Sequence, residues 1–263
     1  MLKKAWKIVL AVVLANFDTW ALNLAVSVIS LLAVWEVLHV IDSGSRALTG
    51  IGLFFSVLIP FSRIEAVRVV LPIIIYAFIV VLFSLLLARH EQMHAEEVAM
   101  TVFICILIPL SLTTIIAIRD HRGIVQGLYY TIFALAAAWM ADTGAYFAGL
   151  KFGKHKLSPK ISPKKTVEGA VGGFVGTVVC TVLYGVLLRF AFGYTVNYLY
   201  LALYGALGSA ISQMGDLSFS YIKRQYGIKD FGNIFPGHGG VLDRFEVGGQ
   251  AVLGRQCLRT TPW

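Results

Sequence analysis

The chain has 263 residues, of which 58% are hydrophobic and only 14% are charged, with a mean hydropathy of +0.78. Soluble domains carry about 25% charged residues, so this composition excludes an ordinary water-soluble globule. The balance of 22 Lys and Arg against 14 Asp and Glu gives a net charge of +8. In a membrane protein this excess is typical of cytoplasmic loops, so no nucleic-acid partner is expected.

Long apolar runs predict the membrane segments, taking about 18 mostly apolar residues as the length of a span. Such runs occur at 20–41, 69–88, 98–118, 124–149, 167–192 and 198–219. Two shorter runs, 5–17 and 47–61, fit a half-span or an interfacial segment. No cleavable signal peptide is expected, because the first apolar stretch continues to Asp18 and then resumes. The predicted fold class is all-α: a polytopic transmembrane helical bundle with about seven or eight membrane segments.

Basic residues indicate the sidedness of the polar segments. Residues 151–165 contain no acid and six lysines: Lys151, Lys154, Lys156, Lys160, Lys164 and Lys165. A second polar segment, 220–246, follows two further predicted spans, which would return the chain to the same side. The positive-inside rule makes that side the cytoplasm, so we expect a polar cavity that opens there.

Two carboxylates lie inside apolar runs, where each would cost about 2.5–3.5 kcal/mol at the centre of a bilayer. Asp142 lies nine residues before Lys151, and Asp216 lies seven residues before Lys223. At about 1.5 Å per helical residue, both lie about 10–14 Å from a basic boundary. We predict that they face one polar cavity; the alternative is that a neighbouring helix satisfies each of them.

Asp216, Ser220 and Lys223 follow at i, i+4 and i+7, which places them on one helical face. This stripe would suit a phosphorylated ligand, although a solvated helix end has the same pattern.

The segment 162–169 predicts an anion site. Ser162 followed by Pro163 is a favoured N-cap and N1 pair, so a helix is expected to begin there. Free amides at that end, with Lys164 and Lys165 on the same turn, would bind phosphate. Small residues just beyond have spacings that allow close helix packing: Gly169, Gly172, Gly173 and Gly176.

The segment 220–246 has the highest density of charged groups. Asp230 and Asp243 are hard oxygen ligands of the kind that Mg²⁺ uses together with substrate phosphates. Arg224 and Arg244 offer planar forks for phosphate oxygens. Zinc is not expected, since no Cys/His cluster accompanies His238. Glycines around this histidine allow close approach to a ligand: Gly237, Gly239 and Gly240.

From Ser220 to Phe245 the sequence resembles phosphatidate cytidylyltransferases, also called CDP-diacylglycerol synthases. Every specified position fits the family signature S-x-[apolar]-K-R-x4-K-D-x-[small]-x2-[apolar]-P-x-H-G-G-[apolar]-x-D-R-[apolar]-D up to its last residue, which here is Glu246. The stretches 139–146 (W-x-x-D-T-x-A-Y) and 162–169 (S-P-K-K-T-x-E-G) are also similar to the family. The resemblance covers about 120–246 well and the N-terminal spans only in general character.

The resemblance implies the reaction CTP + phosphatidate → CDP-diacylglycerol + pyrophosphate in a bacterial inner membrane, with the active site facing the cytoplasm. It implies Mg²⁺ as cofactor, with a second cation left open, and a homo-oligomer as one possible assembly. The expected metal ligands are Asp216 and Asp243, with Asp142 and Asp230 as further candidates. The expected catalytic residues are Asp216, Lys223, His238, Asp243 and Arg244. The expected substrate-binding residues are Ser162, Lys164, Lys165, Ser220, Arg224, Lys229, Gly239 and Gly240.

The predicted organisation is N-terminal transmembrane helices at 1–119, a catalytic region at 120–246 with cytoplasmic loops 151–166 and 220–246, and a tail at 247–263. The family continues into another apolar helix, whereas this tail has no span-length apolar run. We therefore expect a truncated, frame-shifted or altered C-terminus. Cys105, Cys180 and Cys257 are expected to be packing residues without a disulfide.

The sequence is also compatible with two other functions. A CTP-dependent kinase of a lipid alcohol would use related chemistry. A channel or transporter could also place Asp142 and Asp216 in a cavity, but it would not need the charged segment 220–246.

Overall fold

The computed structural model describes residues 20–41, 46–62, 64–232, 240 and 242. These residues form seven α-helices, one 3₁₀ turn and two short strands. They divide into two compact units. The first contains the described residues up to 124 together with those between 230 and 245, and the second contains 125–229.

The described residues of the first unit form four helices: α1 (Trp20–Ile41), α2 (Arg46–Leu58), α3 (Glu65–Ala88) and α4 (Ala95–Arg122), with the 3₁₀ turn Ile59–Phe61 after α2. Helix α1 packs against α2 and α4. Phe55 of α2 stacks on Phe78 of α3 with ring centroids 4.1 Å apart, and Cys105 of α4 is buried. Only 11% of the most apolar part of α3 is buried against the other described residues.

The second unit contains α5 (Ile124–Phe152), the strands β1 (Lys156–Ser158) and β2 (Ser162–Thr166), and the helices α6 (Val167–Phe192) and α7 (Tyr198–Gln225). The strands form an antiparallel hairpin that pairs Lys156 with Thr166 and Ser158 with Ser162. Helices α6 and α7 pack against each other along their lengths.

Four helices in the described part are long and apolar enough to cross a membrane: 20–41, 65–88, 95–120 and 167–192. The prediction of a helical membrane protein is therefore confirmed. The runs 124–149 and 198–219 do form helices, α5 and α7, but these are not among the four. The full set of seven or eight segments stays a prediction; the run 47–61 forms a shorter apolar helix, and 5–17 lies outside the described residues.

The prediction that a helix begins at Ser162 and Pro163 is wrong. Residues Ser162–Thr166 form strand β2, and α6 begins at Val167. The N-cap is Thr166, which is extended (φ −121°, ψ 154°) and whose hydroxyl accepts a hydrogen bond from the Gly169 amide at 3.1 Å. Proline is tolerated at the margin of a two-stranded ribbon, and a β-branched threonine suits both the strand and the cap.

The prediction of close packing at the glycines of α6 is confirmed. A Cβ added to Gly173 would lie 2.5 Å from the carbonyl oxygen of Ala141, and one added to Gly172 would collide with the side chain of Ala148. A Cβ on Gly144 of α5 would likewise lie 2.9 Å from the carbonyl oxygen of Gly172. The backbones of α5 and α6 therefore touch, as small residues permit between membrane helices.

Candidate active site

An open cavity of about 390 Å³ lies within the second unit and is lined by residues of α5, the hairpin, α6 and α7. Its polar lining residues are Asp142, Tyr146, Lys164, Lys165, Thr166, Gln213 and Asp216. The rest of the lining is apolar or glycine: Ala145, Gly149, Leu150, Leu157, Gly169 and Ala170. The cavity thus combines a charged centre with apolar walls, the usual character of a small-molecule site.

The charged centre consists of two acids and two lysines. Lys165 forms an ion pair with Asp216, and their side chains are only 28% and 35% exposed. Asp142 on α5 lies within electrostatic range of both. Lys164, the preceding residue of β2, adds a second ammonium group to the lining.

The end of α6 contributes to the same cavity. Thr166 and Gly169 line it, and Thr166 caps the helix at this point. The first turn of a helix presents free amides and the positive end of the helix dipole. The two lysines therefore stand immediately before a helix N-terminus, so cation charge and amide donors occur together even though the helix starts later than predicted.

Helix α7 is held in register with α6 next to Asp216. The Gln213 side-chain amide donates to the Ala170 carbonyl oxygen at 3.1 Å and to the Ser209 hydroxyl at 3.0 Å. Gln213 lies three residues before Asp216. The contact therefore fixes the position of Asp216 along α7 relative to the first turns of α6. Sequence reasoning did not single out Gln213, although a lone amide in an apolar run was the available signal.

The hairpin that carries the lysines is fixed at its start and at its turn. The Glu168 carboxylate accepts hydrogen bonds from the backbone amides of Lys154 (3.1 Å) and His155 (3.2 Å), and His155 Nδ1 lies 2.6 Å from it. At the turn, Arg224 Nε donates to the Ile161 carbonyl oxygen at 3.2 Å. These contacts limit the freedom of the strand on which Lys164 and Lys165 lie.

Arg224 has a structural role that the sequence did not indicate. Its Nη1 also donates to the Ile228 carbonyl oxygen at 3.1 Å, so the guanidinium bridges the hairpin turn and the segment that follows α7. Contact with a phosphate stays a prediction for this residue.

The carboxylates in the cavity suit an Mg²⁺ ion that is partly coordinated by substrate. Asp142 and Asp216 offer two carboxylates to a single cavity, and the described residues hold no group of three or more His, Cys, Asp or Glu side chains that could enclose a metal. Mg²⁺ is commonly held by one or two carboxylates, with phosphates and water completing its coordination. The two aspartates therefore suit a cation that arrives with a phosphorylated substrate.

The structure separates the predicted residues into three groups. Asp142, Lys164, Lys165 and Asp216 meet at the cavity. Ser162, Ser220, Lys223, Arg224 and Lys229 belong to the same unit but are outside the cavity lining; Ser220 and Lys223 follow Asp216 on α7. Asp230 and Gly240 belong to the first unit, and His238, Gly239, Asp243 and Arg244 lie outside the described residues.

Sequence reasoning missed one acid. Glu36 lies in α1, is 1% exposed, and accepts a hydrogen bond from the Leu242 amide at 3.0 Å. The signal was present, because Glu36 interrupts the apolar run 20–41 just as Asp142 interrupts 124–149. Applying the same test to every predicted span would have found it.

These features define a helical membrane protein with an acid-and-lysine cavity suited to phosphorylated ligands. Residues 2–247 match the Cytidylyltransferase family, and the chain belongs to that family.

Curated relatives agree with this assignment. A stretch of 121 residues, 46% of this chain, is 44% identical to a phosphatidate cytidylyltransferase of Staphylococcus saprophyticus, of which it covers 45%. An equally long stretch is 40% identical to a phosphatidate cytidylyltransferase of Haemophilus influenzae, covering 42% of it. One of Staphylococcus aureus is 32% identical over 121 residues, with 45% of it covered. The chain thus spans less than half the length of the curated relatives it matches.

Proposed function

We propose that this protein is a phosphatidate cytidylyltransferase, which transfers the cytidylyl group of CTP to phosphatidate and releases pyrophosphate. The observation that carries the proposal is the cavity where Asp142 and Asp216 meet Lys164 and Lys165, in a chain of the Cytidylyltransferase family. The names of the matched relatives support the choice of CTP and phosphatidate as substrates.

The reaction is a direct in-line substitution. A phosphate oxygen of phosphatidate attacks the α-phosphorus of CTP, a new P–O bond forms, and the bond to the β-phosphate oxygen breaks. The nucleophile is already anionic at neutral pH, so little general-base catalysis is needed. The barrier lies in bringing two polyanions together, and such reactions are accelerated mainly by positioning and charge neutralisation.

Lys164 and Lys165 neutralise phosphate charge at the N-terminal end of α6. Lys165 exchanges the Asp216 carboxylate for a phosphate oxygen when the triphosphate enters. This exchange would make the Asp216 carboxylate available to bind a cation. Before the substrate arrives, the ion pair holds both side chains in place. Charge-assisted contacts of this kind are about twice as strong as neutral hydrogen bonds.

Asp142 and Asp216 are the proposed carboxylate ligands for Mg²⁺ in the cavity. When bound, Mg²⁺ would neutralise phosphoryl oxygens and the departing pyrophosphate. The resemblance adds Asp243 and Asp230 as ligands, His238 for orientation, and Lys223, Arg244 and Lys229 for phosphate. Titration of the activity with Mg²⁺ would show whether a second cation takes part.

The lipid substrate enters from the bilayer on the apolar side of the cavity. Tyr146 and Leu150 of α5 line the cavity and are largely exposed, at 64% and 73%. An exposed apolar rim beside a charged centre suits a ligand with a phosphate head and acyl chains. We propose that the cavity lies at the cytoplasmic side of a bacterial inner membrane, because the positive-inside rule assigns the lysines of the hairpin to that side.

The test uses the full chain purified in detergent, with CTP, dispersed phosphatidate and Mg²⁺. We expect pyrophosphate release together with a CDP-lipid on chromatography, and a loss of turnover of at least about a hundredfold in Asp216→Asn, because metal coordination contributes several kcal/mol. Glu65→Gln is the matched control: it also removes one negative charge, but from an exposed pair with Arg68 at 2.5 Å.

Two outcomes would contradict the proposal. Near wild-type turnover in Asp216→Asn would remove this residue from the site. A phosphorylated lipid and CDP, in place of a CDP-lipid and pyrophosphate, would identify a lipid-alcohol kinase instead.

A further inference from the structure

Glu36 of α1 is a carboxylate buried inside the first unit, with 1% of its surface exposed. Its helix is apolar enough to cross a membrane. A buried carboxylate is costly unless hydrogen bonds compensate its lost hydration. Its position therefore calls for a defined polar partner.

One partner of the Glu36 carboxylate is a backbone amide from the far end of the chain. The Leu242 N–H donates to Glu36 Oε2 at 3.0 Å, across a sequence separation of 206 residues. Leu242 is itself buried. A charge-assisted hydrogen bond to a backbone amide fixes the chain at that residue, and it does not depend on the identity of the Leu242 side chain.

Two glycines make room for the same carboxylate. A Cβ added to Gly232 would lie 2.5 Å from Glu36 Oε1, and one added to Gly240 would collide with the Glu36 carboxylate. Gly232 is not among the positive-φ glycines of the described residues, so its backbone conformation does not require glycine. At both positions the nearest atoms that an added Cβ would meet belong to the Glu36 side chain.

We propose that Glu36 is a positioning residue for the part of the family signature that belongs to the first unit: it binds the Leu242 amide and fills the space beside Gly232 and Gly240. The catalytic consequence rests on the proposed function. Asp243 and Arg244 directly follow Leu242 in sequence, and neighbouring Cα atoms are about 3.8 Å apart. Moving the Leu242 amide therefore moves the residue that the resemblance assigns to metal binding.

The experiment is a set of substitutions in the full chain, combining Glu36→Ala or Glu36→Gln with Gly240→Ala. Gly50→Ala is the control, because it also adds one methyl group to a glycine of the first unit, but with nothing within 4 Å of the added Cβ. Each variant is measured for kcat, for KM with CTP, and for its thermal unfolding midpoint in detergent.

For Glu36→Ala we expect kcat to fall about tenfold or more while KM for CTP changes less than about threefold, since a shift of about 1 Å at a catalytic group has effects of this size. Glu36→Gln should recover most of that loss, because the amide oxygen can accept the same Leu242 N–H. A residue that only stabilised the fold would lower the unfolding midpoint and leave kcat of the folded protein unchanged.

The double substitutions test the contact itself. Gly240→Ala should reduce kcat at least about fivefold in the wild-type and Glu36→Gln backgrounds, where the large side chain remains. In the Glu36→Ala background it should have almost no further effect, since residues in contact are coupled rather than additive. Gly50→Ala should match the wild type throughout.

Equal effects of Gly240→Ala in all three backgrounds would overturn the proposal. So would an unchanged kcat in Glu36→Ala. If Glu36→Ala does not fold, Gly232→Ala and Gly240→Ala must still reduce kcat relative to Gly50→Ala, and equality with that control overturns it. If the wild type makes no CDP-lipid, the proposed function fails by itself; coupling of unfolding midpoints between Glu36 and Gly240 then decides whether Glu36 holds this segment.

Discussion

At the scale of single residues, Lys165 and Asp216 pair with each other in the structure and are proposed to bind phosphate and a cation during the reaction. Their ion pair lies in a partly buried cavity, where an unpaired ammonium or carboxylate would be unfavourable. The proposed reaction needs the same groups apart, with the lysine on phosphate and the aspartate on a cation. Removing the lysine should therefore weaken nucleotide binding.

We expect Lys165→Met to raise KM for CTP by about 10–100-fold, because a hydrogen bond to a charged group contributes about 1.5–3 kcal/mol. Steady-state kinetics at fixed phosphatidate would measure this. Lys160→Met is the matched control, since Lys160 is an exposed residue of the hairpin turn outside the cavity lining. Equal KM values for the two variants would exclude Lys165 from nucleotide binding.

At the scale of secondary-structure elements, the contact between α5 and α6 determines the shape of the cavity. Gly144 of α5 and Gly172 of α6 touch at this contact, and both helices also contribute residues to the lining of the cavity. Long apolar runs predicted both helices. The start of α6 was misjudged because Ser162 and Pro163 satisfy a local capping preference, whereas pairing of Ser162 with Ser158 keeps them in a strand.

We expect Gly172→Ala to lower the thermal unfolding midpoint by roughly 2 °C or more, because overpacking costs about 1–3 kcal/mol. It should also reduce turnover, since the added methyl group would push α6 away from Ala148. Gly176→Ala is the control on the same helix: its Cβ would lie 3.7 Å from Gly144 Cα, an ordinary contact. Identical midpoints for both variants would show that the helix contact tolerates a larger residue.

At the scale of the whole molecule, the hydropathy pattern and the lysine distribution together predict sidedness. Helix α6 is long and apolar enough to span a membrane, and the hairpin with its lysines precedes it directly. Its two ends should therefore face opposite compartments. Residues 193–197 after α6 carry no charge, which is typical of the non-cytoplasmic side.

We expect a membrane-impermeant maleimide to label Lys160→Cys from the cytoplasmic side only and Thr195→Cys from the opposite side only. Both positions are exposed. The background is a chain in which the three cysteines, Cys105, Cys180 and Cys257, are replaced by alanine. Labelling of both positions from one side would mean that α6 does not cross.

The sequence by itself determined the membrane class, the helices that carry Asp142 and Asp216, the close packing of the α6 glycines and the family. All of these depend on local composition, spacing or a contiguous motif, which can be read from neighbouring residues. Only the tertiary structure decided that Thr166 caps α6, that Lys165 pairs with Asp216, and that Glu36 holds the Leu242 amide 206 residues away. Such partners are chosen by how helices pack and by which buried charge can be satisfied, and neither is encoded in adjacent residues.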